Sequence, residues 1–518
     1  MRGKASLGSL TRVIAFGGAA MLAGGHAARA DANADLIAKG KYLTDAGDCV
    51  ACHSAPNGKQ LAGGLGIPTP FGTIYSNNIT PDKDTGIGTW SDDQFYRALH
   101  DGVSKNGDNI YPAMPYQWYT RATREDSDAI KAYIFSTPPV NQKNKANDLS
   151  FPFNIRAGLT AWNALYFHPG EFKPDPSKSP QINRGAYLVE GLGHCAACHT
   201  PKNIAQAPVT SKSFAGEPIQ GWYAPNISSD VREGIGSWSD AQLVQYFKTG
   251  VAPGKAVARG PMAETVHDSL SKLTDDDLLA MAAYLKSTPG KEPYEVATGS
   301  NYQTAHAPGE SIYLNNCAFC HQVNGQGNPG VVLPLAENGT VKAQGPQDVI
   351  RVVLAGVPAE QSYAPMPAIG GSMTDADIAS VTNYVRQAWG NGAPANATPS
   401  QVADLRKTTR SVMANNETNC PAVESQDVAQ AVNNPATGIA GKLRDANQSN
   451  LLITAKDMVA KVKAASPKAQ PADIVNGLTA AYCPIVNANK SLGDAERRWH
   501  LDQFSQIVYL QVADHGHN

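Results

Sequence analysis

A five-residue pattern, C-x-x-C-H, occurs three times in this chain of 518 residues. It spans Cys49–His53, Cys195–His199 and Cys317–His321 and uses six of the eight cysteines. In this pattern the two thiols form thioether bonds to the vinyl groups of a c-type haem, and the adjacent imidazole then lies beneath the iron as its proximal ligand. The sequence therefore predicts three covalently bound haem c groups, so each surrounding segment is constrained to fold around a haem.

The pattern assigns a role to each of its cysteines and histidines. Proximal iron ligation is predicted for His53, His199 and His321. Covalent attachment of the haems is predicted for Cys49, Cys52, Cys195, Cys198, Cys317 and Cys320.

Two other uses of C-x-x-C fit less well. A zinc ribbon needs two such pairs some 15–20 residues apart, whereas successive pairs here are more than a hundred residues apart. A thioredoxin-like dithiol needs neither the adjacent histidine nor three copies. Haem attachment is therefore preferred over structural zinc and over dithiol redox chemistry.

The first thirty residues resemble a secretory signal. Arg2, Lys4 and Arg12 are basic, residues 13–24 are apolar and small, and Ala28–Ala30 forms an A-x-A cleavage site. No later stretch approaches the ~20 apolar residues of a membrane span. We therefore expect residues 1–30 to be a signal peptide and the mature chain to be exported to the periplasm.

Charge excludes one class of partner. The formal net charge is −2, and residues 1–30 contain four basic residues and no acidic residue, so their removal leaves −6. A mildly acidic chain of this kind is not expected to bind nucleic acid.

The segments around the first two haem motifs are repeats of each other. Asn78–Thr80 is matched by Asn226–Ser228, and Gly86–Asp92 by Gly234–Asp240, at an offset of 148 residues. The haem motifs themselves are offset by 146 residues. The third copy is shorter but keeps a helical pattern from Gln347 to Leu354. These repeats predict three tandem domains.

Each copy begins and ends with a helical pattern. The opening helices carry Gly40, Gly185 and Gly309, and Thr274 and Thr374 are predicted N-caps of final helices. The predicted fold is all-α: three tandem small class I cytochrome c domains plus a small helical C-terminal domain. The expected bounds are 33–145, 180–295, 303–392 and 401–518.

The C-terminal segment 401–518 lacks the haem motif. Helical patterns run from Asn450 to Val462 and from Pro471 to Tyr482, and a further apolar stripe continues to Leu510. The stripes are expected to face the core of this domain, with a docking or membrane-surface helix as the alternative. The two remaining cysteines, Cys420 and Cys483, are predicted to form a disulfide in an oxidising compartment.

A methionine beside proline follows each haem motif and is the predicted second axial ligand. These residues are Met114, Met262 and Met366. The alternative is that they are ordinary core methionines. However, they recur with the haem motif, and no histidine lies between His321 and His500 to compete in the third domain. His100 and His267 are the rival ligands of the first two domains, and are expected to be surface or loop residues.

Trp90 and Trp238 are a further repeated pair. An indole N–H could bind a haem propionate, and packing beside the haem is the equal alternative.

On these motifs, methionine segments and repeats, residues 33–392 resemble the three-haem cytochrome c subunit of membrane-bound alcohol, gluconate or sorbitol dehydrogenases. The resemblance implies a partner, a catalytic dehydrogenase subunit that is a quinoprotein or flavoprotein, and electron transfer to ubiquinone from the outer face of the cytoplasmic membrane. The segment from about 401 onward departs from this pattern. It leaves the mode of membrane attachment open, and it allows a molybdoprotein partner instead.

The predicted function is therefore electron relay from a periplasmic dehydrogenase that oxidises alcohols, sugar acids, polyols or aldehydes to quinone, a terminal oxidase or the respiratory chain. Peripheral contact with the membrane is expected, and no substrate oxidation by this chain alone. A peroxidase is the enzymatic alternative and needs an open haem face, which three methionine ligands would close. A scaffold whose haems only stabilise the fold is the structural alternative.

Overall fold

The chain is mainly helical, with a few short antiparallel hairpins. The computed structural model describes residues 33–290, 308–322, 324–327, 329–359, 363–409, 425–446, 449–492 and 494–513. These residues form two compact units, of which the first contains the described residues up to Lys173 together with Gly191–Gly193, and the second contains the others. The predicted signal peptide lies outside the described residues.

The first unit contains six helices and a three-stranded sheet of order β1-β2-β3. All strand pairs are antiparallel, with Gly66 opposite Tyr75 and Gly72 opposite Leu149. The elements are α1 (33–46), α2 (Cys49–His53), β1 (Gly66–Thr69), β2 (Gly72–Tyr75), α3 (Asp92–His100), α4 (Tyr116–Tyr119), α5 (Arg124–Ser136), β3 (Asp148–Leu149) and α6 (Gly158–Tyr166).

The next part of the chain, up to residue 290, repeats this order of helices. It carries two antiparallel hairpins, β4–β5 and β6–β7. The elements are α7 (Pro180–Tyr187), α8 (Ala196–His199), β4 (Glu217–Ile219), β5 (Trp222–Ala224), α9 (Asp240–Thr249), β6 (Val251–Ala252), β7 (Ala256–Val257), α10 (Pro261–Asp268) and α11 (Asp275–Ser287).

The remaining described residues contain helices joined by loops and short turns. Around the third haem motif lie α12 (Pro308–Asn316), α13 (Ala318–His321), α14 (Gly339–Lys342), α15 (Gln347–Ala355), α16 (Asp375–Gln387) and α17 (Pro399–Thr408). The C-terminal bundle consists of α18 (Gln426–Asn433), α19 (Ile439–Asp445), α20 (Leu451–Ala465), α21 (Pro471–Ala488) and α22 (Asp494–Ala513). Single 3₁₀ or π turns occur at Leu188–Leu192, Thr210–Lys212, Leu270–Lys272, Ile369–Ser372, Ala388–Gly390 and Pro435–Thr437.

The opening and final helices of each repeat cross at a glycine. A Cβ at Gly40 would overlap the carbonyl oxygen of Ala129, and one at Gly185 would overlap that of Ala280. A Cβ at Gly309 would likewise overlap the carbonyl oxygen of Ser380. Only a residue without a side chain lets the helices α1 and α5, α7 and α11, and α12 and α16 approach this closely. The crossings bring both ends of each repeat together.

The final helices begin where the sequence predicts. The hydroxyl oxygens of Thr274 and Thr374 accept hydrogen bonds from the backbone N–H groups of Asp277 and Asp377, at 3.3 and 3.1 Å. These bonds satisfy N–H groups that have no partner inside the helix, and the aspartates favour the positive end of the helix dipole. The predicted N-caps are therefore confirmed.

The hairpins were not predicted, because their strands contain only two to four residues and so show little alternation of apolar and polar side chains.

Residues beyond position 145 also pack on the first unit. The Tyr116 hydroxyl donates to Asn163 of α6 (2.7 Å), and the Tyr96 hydroxyl donates to Glu171 (2.8 Å). The first unit thus continues past residue 145, the predicted end of the first cytochrome c domain.

Helix α17 lies at the junction that the sequence analysis placed near residue 401. Val402 and Leu405 are buried against Ile350 and Ile378 of the preceding helices. Arg406 pairs with Asp375, with Nε 2.8 Å from Oδ1. Both contacts attach α17 to the third repeat rather than to the C-terminal bundle.

The C-terminal bundle has its own apolar core. The predicted stripe faces inward, since Leu501, Phe504 and Val508 are buried among residues of α20 and α21. Cys483 is disulfide-bonded, and Cys420, its predicted partner, lies outside the described residues. Among the helices that the structure describes, none combines the length and the apolar character needed to cross a membrane.

Candidate haem sites

The three motif histidines are held by the same kind of hydrogen bond. Nδ1 lies 2.7 Å from the backbone oxygen of Asn77 in His53, and 2.7 Å from that of Pro225 in His199. In His321 the acceptor is the backbone oxygen of Leu333, at 3.2 Å. A carbonyl oxygen only accepts, so Nδ1 carries the proton and Nε2 presents its lone pair. This is the orientation that an imidazole needs to ligate a metal.

The repeated Asn-Ile segment positions these acceptors in the first two repeats. Asn78 and Asn226 directly follow the carbonyl-bearing residues and are almost fully buried. The side-chain oxygen of Asn78 accepts from the backbone N–H of Thr80 (2.9 Å), and that of Asn226 accepts from Ser228 (2.8 Å). Each turn is thereby fixed, so the preceding carbonyl points at the histidine.

Burial favours the neutral form of the three histidines and the protonated form of the Cys49 and Cys195 thiols. It lowers the pKa of His53 and His199, and lowers the pKa of His321 to about 4. It raises the pKa of the Cys49 and Cys195 thiols, each to about 12. Reactive dithiols need the opposite shift, because the thiolate is the nucleophile. The environment therefore does not suit thioredoxin-like chemistry.

A structural zinc site needs a different arrangement of side chains. Four ligands would have to meet in one place. Within the described residues, no group of three or more histidine, cysteine, aspartate or glutamate side chains is arranged to hold a metal ion.

A cavity of about 190 Å³ lies in the third repeat. Cys317, Cys320, His321 and Met366 all line it, and most of the other lining residues are aliphatic or proline. Folded interiors hold few voids larger than one water molecule, which needs about 10–15 Å³. The cavity is therefore large enough to hold a bound group. Two thiols, one neutral imidazole, one thioether and apolar walls are the set of groups that fits a haem c.

The predicted methionine ligands occupy different local structures. Met114 follows a turn in which its N–H donates to Tyr111 (3.0 Å). Met262 lies in the first turn of α10, which starts at Pro261, rather than in a loop. Met366 pairs with Val357 through two backbone hydrogen bonds of 2.8 and 2.9 Å. All three methionines are partly buried. The cavity brings Met366 together with its predicted haem motif.

Two other parts of the second unit form walls of the third cavity. Val257 and Arg259, in the stretch between β7 and α10, line it from the second repeat. Cys320, Val332 and Ala364 line it and also pack against the core of the C-terminal bundle. The third site is thus assembled from three parts of the chain.

The other candidate site residues, two histidines and one tryptophan, have different surroundings. His267 is 88% exposed on the last turn of α10. The His100 ring stacks on Tyr96 and its Nδ1 lies 2.7 Å from Asp101. Trp238 is half-buried and packs edge-on against Tyr246, with ring centroids 5.6 Å apart. Trp238 thus packs on a side chain of α9, and its place beside the haem stays a prediction.

Two features of the sites were not predicted from the sequence. The carbonyl acceptors at positions 77, 225 and 333 belong to the backbone, so their residue types give no signal. The repeated Asn-Ile pair beside two of them was the available clue. Arg259 reaches a site whose motif lies 58 residues further along the chain, and no local pattern indicates such a contact.

The fold and sites define the chain as a c-type cytochrome. The cytochrome c family model matches residues 182–289 and 306–389. Cytochrome c domains with covalently bound haem c are therefore present.

More extended relatives identify the family. The chain is 42% identical over 401 residues to the gluconate 2-dehydrogenase cytochrome c subunit of Pantoea cypripedii, which covers 73% of this chain and 90% of that protein. It is 39% identical over 401 residues to the alcohol dehydrogenase (quinone) cytochrome c subunit of Gluconacetobacter polyoxogenes, covering 73% and 86%. The fructose dehydrogenase cytochrome subunit of Gluconobacter japonicus is 39% identical over 409 residues, covering 73% and 84%.

The chain belongs to the family of cytochrome c subunits of gluconate, alcohol and fructose dehydrogenases. This membership supports the predicted role in electron transfer. It gives no support to the peroxidase alternative.

Proposed function

We propose that the chain binds three haem c groups, each held by one motif and ligated by one histidine and one methionine. The pairs are His53 with Met114, His199 with Met262, and His321 with Met366. Thioether ligation raises the reduction potential relative to two histidines, and closing both axial positions leaves one-electron exchange as the chemistry that the cofactor supplies.

The role of the protein groups is to hold each iron site in one arrangement. The carbonyl of Asn77, Pro225 or Leu333 fixes the ring orientation of its histidine. The motif thiols would hold the haem in place through thioether bonds. At the third motif, most of the cavity walls are apolar. A site held in this way needs little reorganisation when its charge changes, which favours fast electron exchange.

The electron donor in this proposal is a catalytic dehydrogenase subunit, as the names of the relatives indicate for those proteins. The donor could be a quinoprotein, a flavoprotein or a molybdoprotein. The acceptor is ubiquinone or a terminal oxidase. The protein acts in the periplasm after export, in peripheral contact with the outer face of the cytoplasmic membrane.

One observation carries the proposal. The third cavity gathers Cys317, Cys320, His321 and Met366 from two segments of the chain that are 45 residues apart. An apolar cavity lined by these four side chains supports haem binding at the third motif.

The experiment is to purify the mature chain from a periplasmic fraction and measure its haem content against its protein content by mass spectrometry. We expect three covalent haems per chain, and low-spin absorption spectra in both redox states. A ratio of one or two would contradict the assignment of three sites.

The same preparation tests the relay. The isolated chain is expected to leave alcohols, sugars and aldehydes unoxidised in the presence of an artificial dye. It is expected to be reduced when its dehydrogenase and substrate are added, and reoxidised by a quinone. Turnover of a substrate by the chain alone would overturn the carrier function and require an active site in this chain.

A further inference from the structure

Large apolar side chains that are exposed to solvent cluster in one segment of the first unit, residues 151–166. The described part of the chain exposes eleven such side chains, and five of them belong to this segment: Phe151, Phe153, Ile155, Leu165 and Tyr166. Single apolar residues on a surface are ordinary, whereas a cluster of them marks an interaction site. We call residues 151–166 the exposed apolar segment.

Helix α6, the second half of this segment, turns an apolar stripe towards solvent. Four exposed residues follow one another at the spacing of one helix face: Ala157, Ala161, Ala164 and Leu165. A stripe with this spacing normally packs on a core. Since no residue of α6 is buried, the stripe has no core to face within the described structure.

Hydrogen bonds hold α6 on the first repeat. The side-chain amide of Asn109 donates to the hydroxyl of Thr160 (2.9 Å). The hydroxyl of Tyr116 donates to the side-chain oxygen of Asn163 (2.7 Å). Asn109 and Tyr116 lie on either side of Met114 in the sequence. The helix is therefore attached to the segment that carries the predicted axial ligand of the first haem.

The first half of the segment is attached at the same place. The hydroxyl of Tyr111 donates to the backbone carbonyl of Phe153 (2.9 Å), and the ring of Phe153 stacks on that of Phe71 with centroids 3.9 Å apart. The guanidinium of Arg156 lies over the ring of Tyr111, 4.8 Å from its centroid. The exposed apolar side chains are thus presented by a fixed backbone.

The charge of this region differs from that of the whole chain. Between residues 149 and 170 the only formally charged side chain is Arg156, whereas 17% of all residues are charged and the net charge of the chain is −2. Just before this stretch, Lys143 and Lys145 are exposed together with Asp148. The region is therefore cationic and mostly apolar, although the chain as a whole is acidic.

An anionic lipid bilayer matches both properties. Segments that lie at a membrane surface place aromatic and aliphatic side chains at the boundary of the acyl chains, and their basic side chains are attracted by anionic headgroups. The apolar stripe of the C-terminal bundle, the surface that the sequence suggested for membrane contact, is buried in its own core. We propose that the exposed apolar segment binds the headgroup region of an anionic bilayer.

This inference deepens the peripheral membrane contact of the proposed function by naming the surface that makes it. It rests on the proposed function for one consequence. Because the segment is bonded to residues on both sides of Met114, the domain of the first haem is the part of the protein that meets the bilayer. Lipid binding itself needs no electron transfer, so the inference and the relay can fail separately.

The test measures cosedimentation of the haem-containing chain, purified from a periplasmic fraction, with vesicles of phosphatidylglycerol and phosphatidylcholine. We expect binding to be about fivefold weaker on vesicles of phosphatidylcholine alone, because the attraction of Arg156 to anionic lipid is lost. In the double variant Phe151→Glu/Leu165→Glu, binding to the anionic vesicles is expected to fall by at least about tenfold. Both residues are exposed, so the fold is expected to be kept.

The matched control is the double variant Ile204→Glu/Val231→Glu. Ile204 is 99% exposed and Val231 is 68% exposed, the same fraction as Leu165. Both lie in the second repeat, so the control adds the same two negative charges at exposed apolar positions outside the segment. Its binding to the anionic vesicles is expected to stay within twofold of wild type.

Three outcomes overturn the inference. One is vesicle binding that is unchanged in Phe151→Glu/Leu165→Glu, and another is an equal loss in the control variant. The third is a segment variant that keeps vesicle binding but is no longer reduced by the dehydrogenase, or that converts a wild-type dimer into a monomer by light scattering, since the surface then belongs to a protein partner. In the first two cases a haem content of three and reduction by the dehydrogenase leave the relay intact. A haem content below three contradicts the proposed function whichever vesicle result is obtained.

Discussion

Among single residues, Met366 makes the most direct test of axial ligation. Met366→Leu removes the sulfur while keeping an apolar side chain of similar volume. No histidine lies between His321 and His500 to replace it. We expect the third haem of this variant to become high-spin and to bind carbon monoxide, as measured by difference spectroscopy of the reduced protein.

Met373→Leu is the control for this prediction. Met373 packs in the core formed by α15, α16 and α17 but does not line the cavity. The Met373→Leu variant is expected to keep the wild-type absorption spectrum. If Met366→Leu binds no more carbon monoxide than Met373→Leu, the ligand of the third haem is another residue.

A second test at this scale concerns Asp348, a buried carboxyl group near Arg351 and Arg386. Burial raises its pKa to about 7, although the two arginines oppose this change. The folded state therefore binds a proton that the unfolded state has released, between about pH 4 and pH 7. The contribution of Asp348 to stability is complete below about pH 4 and is lost as the pH rises through about 7.

Asp348→Asn keeps an oxygen that can accept from Tyr223 but removes the titration. We expect its free energy of unfolding, relative to wild type, to increase from pH 4 to pH 8 by up to about 4 kcal/mol. Denaturant unfolding at several pH values measures this difference. The exposed Asp276→Asn is the control, and a difference that stays flat with pH in both variants would refute the prediction.

At the scale of elements, the glycine crossings are the most demanding feature. Gly309→Ala places a methyl group against the carbonyl of Ser380 in the facing helix α16. Because a backbone atom cannot move aside as a side chain does, the helices must separate. We expect a loss of about 2 kcal/mol in the stability of the third repeat, measured by thermal or denaturant unfolding.

Gly339→Ala is the control for the crossing. Gly339 is the first residue of α14, and a Cβ there would meet no other atom within 4 Å. This change is expected to leave stability unchanged or slightly higher, because alanine restricts the unfolded chain. Equal destabilisation by both substitutions would show that the crossing in the third repeat tolerates a side chain.

Much of the local structure could be predicted from the sequence because its signals are local. The haem motifs, the caps Thr274 and Thr374, and the C-terminal helices depend on residues close together in the chain. The contacts at Arg259 and at α17 depend on packing between distant segments. Their residue types are ordinary, so only the three-dimensional arrangement reveals them.

At the scale of the whole molecule, the predicted disulfide of the C-terminal bundle is testable. Cys483 is buried and disulfide-bonded. Replacing both Cys420 and Cys483 by serine opens a loop of some sixty residues. In the loop-entropy model the bundle is expected to lose about 4 kcal/mol of stability.

Peptide mapping without reduction is the first measurement, and it should recover the two cysteines as one linked pair. Unfolding of the double variant is the second. Two thiols that can be alkylated in the native protein would contradict the assignment.

The bundle and the third cavity have a wall in common, formed by Cys320, Val332 and Ala364. A shared wall makes the two regions one cooperative unit, because the bundle cannot open without uncovering the cavity. Slow hydrogen exchange in α21 and protection of the third site from solvent should then have the same opening free energy. The local stability of a segment without a haem motif thus sets how long this wall of the third site stays in place.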